Sequence, residues 1–438
     1  MATEKGQALY AKARKLMPGG TQLLSKRPEM FLPGQWPSYY ADAKGAEVTD
    51  LDGNTYIDMS YCGIGATVLG FADPDVDAAV REALARGSMT TLNCPEEVKL
   101  AEELIGLHPW AEMARFCRAG GEAMAIAVRI ARAATRRDKI AFCGYHGWHD
   151  WYLSANIAGN ANLDGHLIPG LKPAGVPRGL RGLMHPFHYN ALNELEDIIA
   201  GTRGELAAIV MEPVRDNPPA QGFLSGVRAL AREAGAVLIF DEVTAGFRMN
   251  TGGIHMTLGV EPDLAVFAKA LGNGVPVSAV IGRGSIMEAA QDTFISSTTW
   301  TERLGSSAAL AVLKKHREKN VAAHLIAMGE KVKQIWTVAA QKHGLKIHVS
   351  GIAPLGHFGF DYPNAQAVRT LYTQLMLERG ILATGAYYAM YAHTDAHLAR
   401  FRIAVEESFA LVAKAVSDGQ VENQLKGPVA HSGFKRLT

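Results

Sequence analysis

From about residue 113 the chain alternates short apolar runs with longer amphipathic ones, and this alternation restricts the possible folds more than any other feature. Strand-like runs occur at 113–117, 139–143, 206–211, 237–241, 264–267 and 277–281. Helical periodicity fills the intervals at 122–137, 189–199 and 224–234. Short apolar strands separated by helices predict an α/β domain whose sheet is mostly parallel and covered on both faces. Ligands of such sheets sit beyond the carboxyl ends of the strands. The residues that directly follow the runs are therefore the first candidates for chemistry.

The flanking segments read differently. Residues 1–60 mix a short helix (about 7–16) with turns, and Asp52-Gly53 between apolar flanks is a hairpin signal. Segments 74–86 and 96–107 carry the apolar spacing of amphipathic helices. From about residue 308 a long helical run leads into a C-terminal lobe with strands near 346–349 and 357–360. The expected division is an N-terminal segment (1–60), a large domain (61–310) and a small C-terminal domain (311–438). The polar, glycine-bearing stretch 155–182 reads as a long loop over the site.

Composition narrows the function classes. A chain of 438 residues that is 48% hydrophobic has material for a large core. Its formal net charge of +1 gives no footing for nucleic acid or a membrane surface. The four cysteines are scattered without a Cys-x-x-Cys pair, which fits a reduced compartment and argues against a thiolate zinc site. No apolar run reaches membrane-spanning length, and residues 1–6 lack the layout of a signal peptide. The expected location is cytoplasmic.

Lys269 stands just after the run 264–267 and precedes Gly272-Asn273-Gly274. A lysine there is badly placed as a surface charge and well placed as a nucleophile, because burial disfavours the charged amine. Asp241 ends the run 237–241. A Schiff-base lysine and an acid that keeps a pyridine nitrogen protonated are what pyridoxal phosphate requires. Gly120 and Gly121 follow another run and open a helix, where backbone N–H groups can meet a phosphate. An ordinary strand-to-helix turn reads the same way. Tyr145 can stack on a planar ring, and His146 follows it. His146 with His149 also raises metal binding, but no further ligands stand at a suitable spacing and no metal is expected. Glu212 either caps a helix or lies near the cofactor, and Arg215 either binds an anionic substrate group or is a loop charge.

Taken in order, Met17-Pro18-Gly19-Gly20, Asp50-Leu51-Asp52-Gly53-Asn54-Thr55-Tyr56-Ile57-Asp58, the glycine turn, Tyr145-His146-Gly147, Glu212-Pro213, Asp241-Glu242-Val243, Lys269 and Glu378-Arg379-Gly380-Ile381 resemble the class III aminotransferases of fold type I. Within that family the likeness runs toward glutamate-1-semialdehyde aminomutases. The resemblance implies a large domain with a mostly parallel sheet, smaller N- and C-terminal α+β lobes, and pyridoxal 5′-phosphate. It implies that Lys269 carries the cofactor and moves the proton, that Asp241 pairs with the ring nitrogen, and that Val243 and Tyr145 flank the ring. It implies phosphate contacts from Gly120 and Gly121 and, across a homodimer with shared sites, from Thr298 or Thr299. Three departures stand out. The usual Ser-Gly-Thr turn reads Ala119-Gly120-Gly121, so two hydroxyls are lost. The aminomutase substrate arginine falls in the segment holding Lys26 and Arg27. Its acidic C-terminal segment reads 384–390 here, with no acid and with Tyr387 and Tyr388 in its place, and Tyr387 is the expected substrate contact. The expected activity is transfer of an amino group between an amine or amino acid and a carbonyl acceptor, in ping-pong order. An aminomutase-type isomerase is the alternative, ahead of a catalytically silent binding protein or a metal hydrolase.

Overall fold

The apolar runs become the strands of one large sheet. In chain order, β1 (Tyr40–Lys44), β2 (Glu47–Asp50) and β3 (Thr55–Asp58) precede it. It is built from β4 (Met113–Cys117), β5 (Lys139–Cys143), β6 (Met184–Pro186), β7 (Leu206–Met211), β8 (Val237–Asp241), β9 (Leu264–Phe267) and β10 (Ser278–Gly282). After it come β11 (Ile347–Ser350), β12 (Leu355–Phe360), β13 (Ile381–Leu382) and β14 (Ala386–Tyr388). The computed structural model describes residues 3–159, 161–166, 169–214 and 216–433. The chain divides into two units, Pro74–Ala322 on one hand and Met1–Asp73 with Ala323–Thr438 on the other.

In the unit Pro74–Ala322 the strand order is β4-β10-β9-β8-β7-β5-β6. Strands β5 to β9 run parallel, and β10 is antiparallel to both β4 and β9. Every position of β7 and β8 is buried, as a sheet covered on both faces requires. Ile140, Phe142, Ala208, Val210, Val237, Ile239 and Val266 pack with Ala123, Ile126, Ala127 and Ile130 of helix Gly120–Thr135. The alternate residues Ala141, Cys143, Ile209, Met211, Leu238 and Phe240 pack with Leu195, Phe223, Leu224 and Val227 on the other side. Side chains alternate with a period of two, so Asp241 continues the set of Val237 and Ile239 and faces helix Gly120–Thr135. Burying each large aliphatic or aromatic side chain is worth about 1.5–3 kcal/mol. That penalty pins the register, because a one-residue slip of β8 would carry Asp241 to the wrong face.

The other unit holds two sheets, β1-β2-β3-β13 and β11-β12-β14. Strand β13 pairs in parallel with β3, Ile381 against Ile57, which ties the two chain segments of this unit together. Phe358, Phe360, Tyr372 and Phe409 form its aromatic centre. Gly53, at φ 89°, makes the β2–β3 turn that Asp52-Gly53 signalled.

Several boundaries differ from expectation. The helical run from 308 is two helices, Arg303–Glu318 and Val321–His343, separated at Asn320, whose φ of 46° interrupts a right-handed helix. Strand β6 was not foreseen: three residues ending in proline carry too little pattern to read. Within 155–182 the described residues form a short helix, Ala155–Ala158, followed mainly by turns. No helix among the described residues is long and apolar enough to cross a membrane.

Candidate active site

Strand pairing sets the candidates in a row. Cys143 is opposite Met211, Met211 opposite Phe240, and Asp241 opposite Val266. The chain therefore emerges from four neighbouring parallel strands at one edge, carrying His146, Glu212, Asp241 and Lys269.

Asp241 is buried, with 4% of its surface exposed. Its Oδ1 accepts the Val243 N–H at 3.0 Å, and its Oδ2 lies 2.8 Å from His146 Nδ1. His146 Nε2 lies 3.1 Å from the Cys143 carbonyl oxygen. The ring of His146 thus bridges the Asp241 carboxylate and the Cys143 carbonyl. Glu242, next in the chain, is used elsewhere. Its carboxylate accepts from the N–H groups of Ile254 and His255 at 3.0 Å each, and from His255 Nδ1 at 2.7 Å. The two adjacent acids therefore serve different partners.

Lys269 sits in the left-handed region at φ 43°, a conformation that costs a residue with a side chain about 1 kcal/mol or more. Its Nζ donates to Thr244 Oγ1 at 2.8 Å. Helix Gly120–Thr135 begins beside it. Glu122 takes the N–H groups of Arg118 and Ala119 at 3.1 and 3.0 Å. The N–H groups of Gly120 and Gly121 have no carbonyl a turn earlier in the helix to bond to, and they carry the positive end of its dipole. A methyl group at Gly120 would stand 3.0 Å from Val243 Cγ1 and 3.5 Å from Ala268 Cβ. At Gly121 it would stand 3.2 Å from the His149 ring. The two glycines thus let the helix start approach the turns that carry Asp241 and Lys269.

Tyr145 is 41% exposed, and its ring meets Tyr152 edge-on at 6.0 Å. Its N–H donates to the buried Glu212 at 3.3 Å. Gly144, at φ 110°, has no room for a side chain because Glu212 Oε2 fills the space. Val243 is half-buried. Burial lowers the pKa of His149. Among the described residues no group of three or more His, Cys, Asp or Glu side chains could hold a metal ion.

Thr298 and Thr299 are exposed at the start of a single turn, Thr298–Thr301. Arg118, not singled out in the sequence, anchors that turn. It donates to the carbonyls of Trp300 and Glu302 at 2.8 Å each and pairs with the Glu302 carboxylate at 2.9 Å. Its place directly before Ala119-Gly120 was the available signal.

Three candidates lie in the other unit. Lys26 is exposed, and Arg27 is half-buried with its guanidinium against Gly19. Tyr387 corrects the expectation of a substrate contact. Its side chain is fully buried, and its hydroxyl donates to His393 Nδ1 at 2.9 Å. Alternation along β14 gives the partly exposed position to Tyr388. Arg215 lies outside the described residues.

Comparison with known proteins places this arrangement. Residues 33–398 match the family model for aminotransferase class-III. A 3-aminobutyryl-CoA aminotransferase of Cloacimonas acidaminovorans is 31% identical over 94% of this chain and 98% of its own length. A glutamate-1-semialdehyde 2,1-aminomutase of Roseiflexus castenholzii is 35% identical over 96% of this chain and all of its own. The solved structure of the FumI protein of Sphingopyxis sp. MTA144, in its pyridoxal-phosphate internal aldimine form, superposes with a TM-score of 0.85 at 28% identity. That match covers 94% of this chain and 97% of the other. With likeness extending over nearly its whole length, the chain belongs to the class III aminotransferases, pyridoxal-phosphate enzymes of fold type I.

Proposed function

We propose that this enzyme moves an amino group from an amine or amino-acid donor to a carbonyl acceptor other than glutamate semialdehyde, with Lys269 and Asp241 at its centre. The observation that carries this reading is the placement of Lys269, Asp241 and the Gly120-Gly121 helix start at one sheet edge. The donor set fits pyridoxal phosphate: an amine, a buried carboxylate, and a helix start cleared by two glycines. When bound, that cofactor supplies an electron sink and holds the amino group between the two half-reactions.

The residues then divide the work. Lys269 Nζ is the amine that carries the cofactor and moves the proton at the substrate carbon. Asp241 holds the proton on the ring nitrogen, and His146 keeps its carboxylate aimed. The N–H groups of Gly120 and Gly121 receive the phosphate, with affinity resting on backbone donors because the turn has lost its two hydroxyls. Tyr145 and Val243 flank the ring, with Glu212 supporting the Tyr145 turn. Thr298 or Thr299 adds a phosphate contact in the partner of a homodimer. Arg215, Lys26 and Arg27 remain candidates for an anionic substrate group on sequence grounds, and the cytoplasm remains the expected compartment.

The aminomutase reading is favoured by relatives at similar identity. Against it stands segment 384–390, which corresponds in the resemblance to the aminomutase's acidic segment and contains no acid. The test compares conversion of glutamate semialdehyde with half-reactions across a panel of amines and amino acids, followed by bleaching of the visible band. We expect higher catalytic efficiency with at least one amine. If the semialdehyde is isomerised with the highest efficiency of all, the aminomutase reading replaces ours.

A further inference from the structure

Thr244 is not part of the site as read from the sequence, yet it touches the reacting nitrogen. Lys269 Nζ donates to Thr244 Oγ1 at 2.8 Å. A lysine side chain has four rotatable bonds, and its amine ordinarily samples a wide volume. Here both ends of the side chain are fixed. The backbone is held in the left-handed region, directly after Ala268 at φ −157° and ψ −146°. The amine is held by the hydroxyl.

The turn that carries the hydroxyl is itself tightly built. Val243 N–H donates to Asp241 Oδ1 at 3.0 Å, Gly246 N–H donates to the Glu242 carbonyl at 2.8 Å, and Arg248 Nε donates to the Thr244 carbonyl at 3.3 Å. Thr244 is thus placed by the turn that orients Asp241. A threonine hydroxyl in a turn commonly bonds to its own turn. This one meets the lysine amine instead.

We propose that Thr244 is a positioning residue for the reaction, which aims the Lys269 amine through its hydroxyl in both charge states. A hydroxyl is both donor and acceptor. It accepts an N–H while the amine carries its extra proton. It donates O–H to the nitrogen lone pair once that proton has left. No proton needs to be gained or lost by Thr244 in either arrangement. This inference rests on the reading of Lys269 as the amine that carries the cofactor.

The experiment follows the full-length chain, stripped of cofactor and mixed with increasing pyridoxal phosphate, by growth of the visible band. The saturation midpoint reports phosphate binding, and the limiting first-order rate reports attack by the lysine. Thr244→Val keeps the shape and removes the hydroxyl. We expect its limiting rate to fall about tenfold or more, the effect of losing one hydrogen bond to a charged or reacting group, with little change in midpoint. Thr244→Ser should retain the wild-type rate. Circular dichroism checks each fold, and Thr244→Ala replaces the valine variant should that one not fold. A hydroxyl-free variant with the wild-type limiting rate overturns the proposal while leaving Lys269 in its role. A serine variant as slow as valine overturns it too, because the methyl group would then be the part that matters. If wild type forms no band at all, the reading of Lys269 fails and takes this inference with it.

Discussion

Asp241 and Glu242 adjoin at the end of one strand, but alternation sends them to different partners. Asp241 meets His146 and the Val243 N–H, while Glu242 is consumed by the His255 turn. In the proposed role the charge of Asp241 keeps the ring nitrogen protonated, and an amide in its place cannot hold that proton. Asp241→Asn should therefore fold and bind cofactor, yet slow the first half-reaction by about 100-fold or more, the usual cost of one preorganised electrostatic group. Stopped-flow single turnover measures this, and an unchanged rate constant would remove Asp241 from its role. The strand-end placement of Lys269 and Asp241 was legible because both stand at or just after apolar runs that become strands β9 and β8. The His146 contact was not, since nothing in sequence marks a pairing between residues 95 apart. Tyr387 was misread for a related reason. Its burial depends on His393 and on the packing of the other unit, and an aromatic residue near a family's substrate segment looks the same buried or open.

At the scale of elements, strands β4, β5, β7, β8 and β9 coincide with the apolar runs, most plainly at β7, β8 and β9, where every position is buried and only the terminal Asp241 is polar. Helix Gly120–Thr135 starts two residues before the periodic pattern does. Glycines contribute nothing to an apolar stripe, so their inclusion was invisible, although they are the residues that approach Val243 and Ala268. In the turn Thr298–Thr301, Thr298 and Thr299 were singled out only through family likeness. Its exposed threonines and its anchoring by Arg118 support the proposed reach toward a second subunit. Sedimentation velocity at micromolar concentration should show a dimer, and Arg118→Ala should weaken cofactor retention by loosening the turn. A fully active monomer at high dilution would contradict shared sites.

The molecule as a whole carries an acid sensitivity that composition does not reveal. Burial pushes His108, His316 and His393 down to about 4 from an ordinary 6.5. Each side chain is neutral where it is buried, and hydrogen bonds to backbone carbonyls only partly offset the desolvation. Between those two pH values the unfolded chain binds protons that the folded chain refuses. Stability must therefore fall as pH drops from about 6.5 toward 4, by about 3 kcal/mol per histidine over the full interval. Urea unfolding midpoints at pH 7.5 and pH 5 should differ clearly, with less difference in His316→Asn; equal midpoints in wild type would refute the linkage. The central claim is narrower: one lysine, at the end of β9, carries the cofactor. Borohydride reduction of the holoenzyme, followed by peptide mapping, tests it most directly. The account predicts a phosphopyridoxyl group on Lys269 and nowhere else in stoichiometric amount. A label on another lysine, or a reduced enzyme with none, would contradict it.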